Sequence, residues 1–231
     1  MRRRAQVGRL ARGAGAPADR PRVARDPVVT AVARRMRSAD RCHTAILYGS
    51  RARGDHGPAS DYDFLGIRAR GPERARAERR RGRYVDVLLV PEGKARRTDP
   101  ALLPVKDGVV LFERAGAGRR LLARLRRLDA KGPPRPDPAE VRRRTLWASK
   151  MLGRVRRGGA VGDFRRFVLV VTLLEDWHYY RRRWFHGAKP AFATLAAEDP
   201  ATHRLFVRAI RAPGDAVLAA LVRRVTGRRP G

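Results

Sequence analysis

The chain is short of most features that would narrow its function by themselves. It has one cysteine, Cys42, in 231 residues. That excludes an intramolecular disulfide framework and points to a reducing, cytoplasmic setting. Cys42 stands just before the first apolar run and reads as incidental. No stretch approaches the roughly eighteen apolar residues of a membrane helix. The N-terminal MRRRAQVGRLARGAGAPADRPR is basic and lacks the apolar core of a secretory signal. Acids are scarce as well: 22 Asp and Glu stand against 54 Lys and Arg, a net charge of +32. Such a surface attracts polyanions, nucleic acid above all. Lysine is nearly absent, however, and the arginines are spread along the chain beside abundant Ala, Gly and Pro. A GC-rich coding sequence gives the same composition, so the charge alone draws no footprint. There is no zinc-ligand spacing, nucleophilic triad, dinucleotide fingerprint or internal repeat.

Residues 44–66, TAILYGSRARGDHGPASDYDFLG, are the stretch around which the chain is organised. On an extended strand Asp61 and Asp63 share one face, with Tyr62 and Phe64 on the other. Two neighbouring carboxylates in an apolar strand repel, so the pattern calls for a divalent cation between them. Hard oxygen donors of this kind favour magnesium. Upstream, Ala45-Ile46-Leu47-Tyr48 reads as a buried strand ending at Gly49-Ser50. A strand-to-helix turn there offers backbone N–H groups to a phosphate, with the Ser50 hydroxyl as a further donor and Arg51 or Arg53 adding charge. Residues 83–91, RYVDVLLVP, form an apolar, β-branched run broken by a single acid, Asp86, which needs a partner.

These residues resemble the signature of the DNA polymerase β-like nucleotidyltransferase superfamily, and within it the minimal nucleotidyltransferases. The signature is a hydrophobic residue, Gly, then Gly or Ser, about ten residues, Asp-x-Asp/Glu between hydrophobics, and a third carboxylate on a later strand. Tyr48-Gly49-Ser50, ten intervening residues and Asp61-Tyr62-Asp63-Phe64 match it without a gap. The resemblance implies that Asp61, Asp63 and Asp86 are catalytic and hold two magnesium ions, and that Gly49, Ser50, Arg51 and Arg53 bind the nucleotide. It further implies transfer of a nucleoside monophosphate, AMP from ATP, to a hydroxyl with release of pyrophosphate. The acceptor is expected to be RNA or protein, because a cationic aminoglycoside would be repelled by this net charge. Two alternatives stand beside this reading: an aminoglycoside or lincosamide adenylyltransferase, and a non-catalytic, antitoxin-like module that binds RNA or a protein.

Taken in order, residues 1–25 read as a disordered basic arm. Asp26-Pro27 predicts the cap and first turn of a helix. Strands are expected at 44–49, 61–68, 83–90 and 109–112, a short exposed helix within 71–82, and a helix over 116–128. The VKDGVVLFER segment also resembles the closing strand of minimal nucleotidyltransferases, so the resemblance extends over 26–130. Lys131-Gly132-Pro133-Pro134-Arg135-Pro136 then interrupts every periodicity, and 131–137 is read as a linker. Beyond it, 138–227 reads as a bundle of helices at 138–157, 163–185, 189–198, 201–211 and 214–226. The fold class is therefore α+β, a small mixed-sheet domain followed by a helical bundle. In the second helix Phe164, Phe167, Val168, Val171, Leu174 and Trp177 form the stripe expected at the bundle centre. Beside it lie Glu175 and Asp176. One reading makes Glu175 an acceptor contact; the other is a carboxylate paired with an arginine. Arg181 and His186 resemble the loose arginine-to-histidine spacing of HEPN ribonucleases, although Arg182 replaces the preferred polar residue.

Overall fold

The structure is a computed structural model that describes Val23 and residues 25–227. Apart from Val23 and Arg25, the basic arm expected over 1–25 lies outside the described residues. The chain divides into two compact units, Met1–Ala130 and Lys131–Gly231. The class is α+β, a five-stranded mixed sheet followed by a mostly helical region. Among the described residues no helix is long and apolar enough to cross a membrane.

The first unit runs α1 (Pro27–Ser38), β1 (Cys42–Tyr48), α2 (Gly49–Arg53), β2 (Tyr62–Arg68), β3 (Arg74–Arg80), β4 (Arg83–Pro91) and α3 (Glu92–Arg96). A 3-10 turn (Pro100–Val105), β5 (Val109–Phe112) and α4 (Ala117–Lys131) complete it. The strand order is β3-β4-β2-β1-β5. Strand β1 is antiparallel to β2 and β5, β2 is parallel to β4, and β3 is antiparallel to β4.

Helix α1 starts as its Asp-Pro pair predicts. Asp26 Oδ1 accepts from the Val28 and Val29 amides at 2.8 and 3.3 Å, and its Oδ2 accepts from the Tyr62 hydroxyl at 2.7 Å. One carboxylate thus caps the helix and ties it to β2. Val28, Val29, Val32 and Met36 recur at helical spacing and bury one face of α1 against Ala45, Leu47, Phe64, Val85 and Val87. The other face of the sheet carries Ile46, Leu65, Ile67 and Val90, covered by Ala95, Leu102, Val105 and the Leu121, Leu122 and Leu125 stripe of α4. The central strands are buried on both faces, which explains their near-continuous apolar sequence. Gly66 leaves room for Met36 of α1: a Cβ there would lie 2.8 Å from Met36 Cε and 2.7 Å from Cys42 Sγ.

The short helix expected within 71–82 is instead the edge strand β3. Alanine, arginine and glutamate favour helix intrinsically, but tertiary pairing overrides that preference. Arg81 and Gly82, at φ 51° and 75°, form the two-residue turn with both central φ positive that matches strand twist. β3 then pairs with β4 along its whole length. Its inward-leaning charges are matched, Arg76 Nη1 with Asp40 at 2.9 Å and Glu78 with Arg35 and Arg80 at 3.2 and 2.7 Å. A charged edge of this kind resists pairing with other chains.

The second unit is helical: α5 (Pro138–Val155), α6 (Gly159–Tyr180), α7 (Ala188–Glu198), α8 (Pro200–Arg211) and α9 (Asp215–Thr226). Asp137 caps α5 through the Ala139 amide at 3.0 Å. Helix α6 ends at Tyr180, short of the expected 185, and its buried arc differs from the expected stripe. Leu169, Val170, Leu173, Leu174 and Trp177 are buried, whereas Phe164 and Phe167 are each 66% exposed and Val171 is 43% exposed. The helix is apolar around most of its circumference, so periodicity alone does not fix which arc faces inward.

Candidate active site

The carboxylates expected from the sequence lie at one end of the sheet. Tyr48 on β1 is the register partner of Asp63 on β2, and Asp63 is the register partner of Asp86 on the parallel strand β4. Alternation places all three side chains on one face: Tyr48 follows Ile46, Asp63 precedes Leu65, and Asp86 precedes Leu88. Tyr48, Asp63 and Asp86 therefore form a row across three adjacent strands about 4.8 Å apart. Asp61 precedes β2 on the same parity as Asp63 and is exposed, as is Asp86, while Asp63 is half-buried.

The electrostatics follow this order. Burial pushes the Asp63 carboxyl up from its ordinary value, Asp86 and Asp61 add to the rise, and Arg53 opposes it. The Tyr48 hydroxyl is pushed up to about 12, first by burial and then by the charges of Asp63 and Asp86. It therefore stays protonated and remains a donor beside two acceptors. Tyr48 was read from the sequence only as the apolar residue before the glycine. Its parity with Ile46 is the signal that could have assigned it to the carboxylate face.

Gly49 is fixed by two independent constraints. Its φ is 73°, and a Cβ would fall 2.3 Å from Asp63 Oδ2. The backbone thus lies directly against the carboxylate, as only glycine allows. Helix α2 starts at this residue with no side-chain cap on its first turn, which carries Ser50. Its opening amides lie beside the acidic row without a side-chain acceptor.

The two arginines of α2 have different environments. Arg51 donates through Nη2 to the Ser60 carbonyl at 2.8 Å and through Nε to the Ser60 and Asp61 carbonyls at 3.1 and 3.2 Å. Its guanidinium also stacks 3.7 Å over the Tyr62 ring. These contacts fasten the loop that carries Asp61, and Arg83 holds the same loop at the Pro58 carbonyl. Arg51, one of the two arginines expected at the nucleotide, is thus held to the loop through Nε and Nη2. Arg53 makes a 3.4 Å ion pair with Asp55 and is the cation whose charge reaches Asp63.

Among the described residues no three His, Cys, Asp or Glu side chains are grouped closely enough to hold a metal ion. The Asp63–Asp86 pair nevertheless suits a divalent cation. It offers hard oxygen donors, and the charge of Asp86 adds to the cost of ionising Asp63. Magnesium is commonly held by one or two carboxylates, with substrate phosphates and water completing the shell.

In the helical unit, Glu175 is exposed on α6, whereas Asp176 is fully buried and accepts from Arg144 Nη1 at 2.6 Å. Burial pushes the Asp176 carboxyl up against the pull of Arg144. His178 is buried, with its Nδ1–H donating to the Leu174 carbonyl at 2.8 Å, and burial lowers its pKa. Arg181 pairs with Asp199 at 3.4 Å and lies 4.5 Å over the Trp177 ring. It is thus engaged in packing, which leaves the HEPN-like spacing without a free arginine.

Comparison with known proteins addresses the first unit. Residues 31–113 match the family model of the nucleotidyltransferase domain. Among solved structures, a nucleotidyltransferase-like protein from Exiguobacterium sibiricum aligns at 15% identity over 80% of this chain and 69% of its own, with a TM-score of 0.41. No curated protein matches the chain. The span matched by the family model contains β1, the Gly49 turn, Asp63 and Asp86, so the candidate site lies wholly within the region that is similar to a nucleotidyltransferase domain.

Proposed function

We propose that the chain transfers a nucleoside monophosphate from an NTP, ATP by resemblance, to a hydroxyl acceptor with release of pyrophosphate. The observation that carries this reading is the register of Asp63 with Asp86 on parallel strands, with the Gly49 backbone packed against Asp63. Asp63 and Asp86 would hold a magnesium ion, with Asp61 able to join when phosphates complete the site. When bound, the ion neutralises charge on the phosphate oxygens and favours in-line displacement at the α-phosphorus.

The chain's own groups supply the rest. The uncapped amides at the start of α2, with Ser50, take the β- and γ-phosphates. Arg53 offsets charge on the departing pyrophosphate. The acceptor oxygen bonds to the α-phosphorus as the α–β bridge breaks, and Asp86, exposed at the open end of the row, either completes the cation's shell or receives the hydroxyl proton directly or through one water. Tyr48 holds its proton and orients the two carboxylates. Arg51 positions Asp61 through the loop rather than touching the nucleotide.

The charge of +32 favours an RNA or acidic protein acceptor over a cationic drug. The test is incubation of the purified chain with each α-labelled NTP, magnesium and a cell extract, followed by nuclease or protease digestion of the labelled product. Label in RNA or protein that declines as salt rises supports the reading. Salt-insensitive labelling of a small aminoglycoside or lincosamide would replace the acceptor, and absence of any label would remove the reaction.

A further inference from the structure

Away from the acidic row, the sheet carries a second concave feature whose charge is almost all of one sign. A pocket of ≈ 490 Å³ opens where the start of β1, the end of β2 and the start of β3 meet. Its charged lining is Arg41, Arg68, Arg70, Arg74 and Arg76 against a single acid, Asp40. Asp40 is already committed, both of its oxygens accepting from Arg76 Nη1 at 2.9 and 3.1 Å. Arg68 Nε and Arg76 Nε and Nη2 are shielded from solvent and make no hydrogen bond. Desolvated guanidinium donors without acceptors are costly and rare. Arg76 is matched by Asp40 and lies 4.0 Å from Glu78, so Arg41, Arg68, Arg70 and Arg74 leave this corner with an excess of positive charge. Arg41 is moreover held at φ 53°, a conformation that L residues other than glycine seldom adopt.

The location separates this pocket from the nucleotidyltransferase site. Arg68 stands five residues along β2 from Asp63, roughly 17 Å at strand rise. Arg74 and Arg76 are the register partners of Leu89 and Val87, which belong to the α1 face of the sheet, opposite the carboxylate row. No atom of a nucleotide held at Gly49 and Asp63 is required to reach it.

We propose that this pocket is a binding site for clustered phosphates, two or more phosphoryl groups presented together. Guanidiniums bind phosphate oxygens in bidentate, charge-assisted pairs, and several converging from two strands and the loops beside them match a polyphosphate rather than a single carboxylate. The pocket volume falls within the range of small-ligand sites. The phosphates can belong to a free polyphosphorylated molecule or to consecutive positions of an RNA backbone, and the experiment separates the two.

The test uses the full chain without divalent metal, titrated by calorimetry with tripolyphosphate in one arm and a 12-nucleotide RNA in the other. The variant Arg41→Gly with Arg74→Ala removes two pocket charges, and glycine at position 41 suits the backbone there. Arg204→Ala with Arg208→Ala, exposed on α8, removes the same charge elsewhere. The pocket variant is expected to bind tenfold or more weakly, and the α8 variant to bind as wild type. Pocket-dependent loss for tripolyphosphate identifies a free ligand; pocket-dependent loss for RNA alone identifies a backbone. Equal weakening by both double variants, or wild-type binding of both ligands by the pocket variant, would overturn the proposal.

Discussion

Asp63 and Asp86 stand directly opposite each other on adjacent parallel strands, and the Gly49 backbone closes the site against the Asp63 carboxylate. Like charges held at strand spacing raise each other's energy, and burial of Asp63 adds to it. The sheet itself therefore creates a standing electrostatic cost that a cation relieves.

That cost has a definite sign. Asp63 has a folded-state pKa raised above its ordinary 3.8. The folded chain thus binds more protons than the unfolded one between the two values, and stability falls as pH rises through that window. Above the folded-state pKa the penalty is fully present. Asp63→Asn should melt at or above the wild-type temperature in the absence of divalent cations, and should lose the increase that magnesium with nucleotide gives the wild type. Thermal unfolding followed by far-UV circular dichroism measures both.

Gly49→Ala is expected to fail for two reasons, a positive φ and a clash with Asp63 Oδ2. A strained backbone of this kind costs about 1–3 kcal/mol. The variant should unfold at lower denaturant concentration and lose nucleotide transfer, whereas Gly54→Ala, with φ 81° but open space around it, should be destabilised and stay active.

Arg51 and Arg53 should separate into different phenotypes. Arg51→Ala removes three hydrogen bonds to loop carbonyls and the stack on Tyr62. It should speed amide hydrogen exchange in residues 54–61. Arg53→Ala should leave that exchange unchanged and raise KM for the NTP. Equal exchange in the two variants would reject the division of roles.

The helical unit has its own test. Asp199 accepts from the Thr202 amide and hydroxyl, Trp177, Arg181 and Arg224. Burial acts to raise its pKa, but these donors prevail and hold it at about 2. The depressed pKa contributes stability above the ordinary value of 3.8, lost as pH falls toward about 2. Asp199→Asn should cost about 2 kcal/mol at neutral pH, the half-exposed arginines moderating the loss. It should also lack that acid-sensitive component. The chain's three tryptophans, Trp147, Trp177 and Trp184, all lie in this unit, so urea unfolding followed by their fluorescence reports on it.

Legibility in the sequence varied with the range of the interactions. Caps such as Asp26-Pro27 and Asp137-Pro138 are local chemistry, and they read correctly. The β3 strand did not, because an arginine-rich run suits an exposed helix and a charged edge strand equally until its partner is known. On α6, Leu173 and Phe167 are both apolar, yet one is buried and the other 66% exposed. Leu173→Ala should therefore cost about 2–5 kcal/mol, and Phe167→Ala about 1 or less. At the site, motif spacing singled out Asp61 and Asp63, and the single break in an apolar run singled out Asp86. The opposition of Asp63 and Asp86, the place of Tyr48 in the row and the commitment of Arg51 all depend on strand pairing and loop closure over many residues.

The most direct measurement is a double-mutant cycle on labelled-nucleotide transfer with Asp63→Asn, Asp86→Asn and the pair together, each checked for a native circular dichroism spectrum. If the two carboxylates act as one cation-holding unit, either single change should abolish transfer nearly as fully as both. Transfer that survives in the double variant, or losses that simply add, would contradict the account.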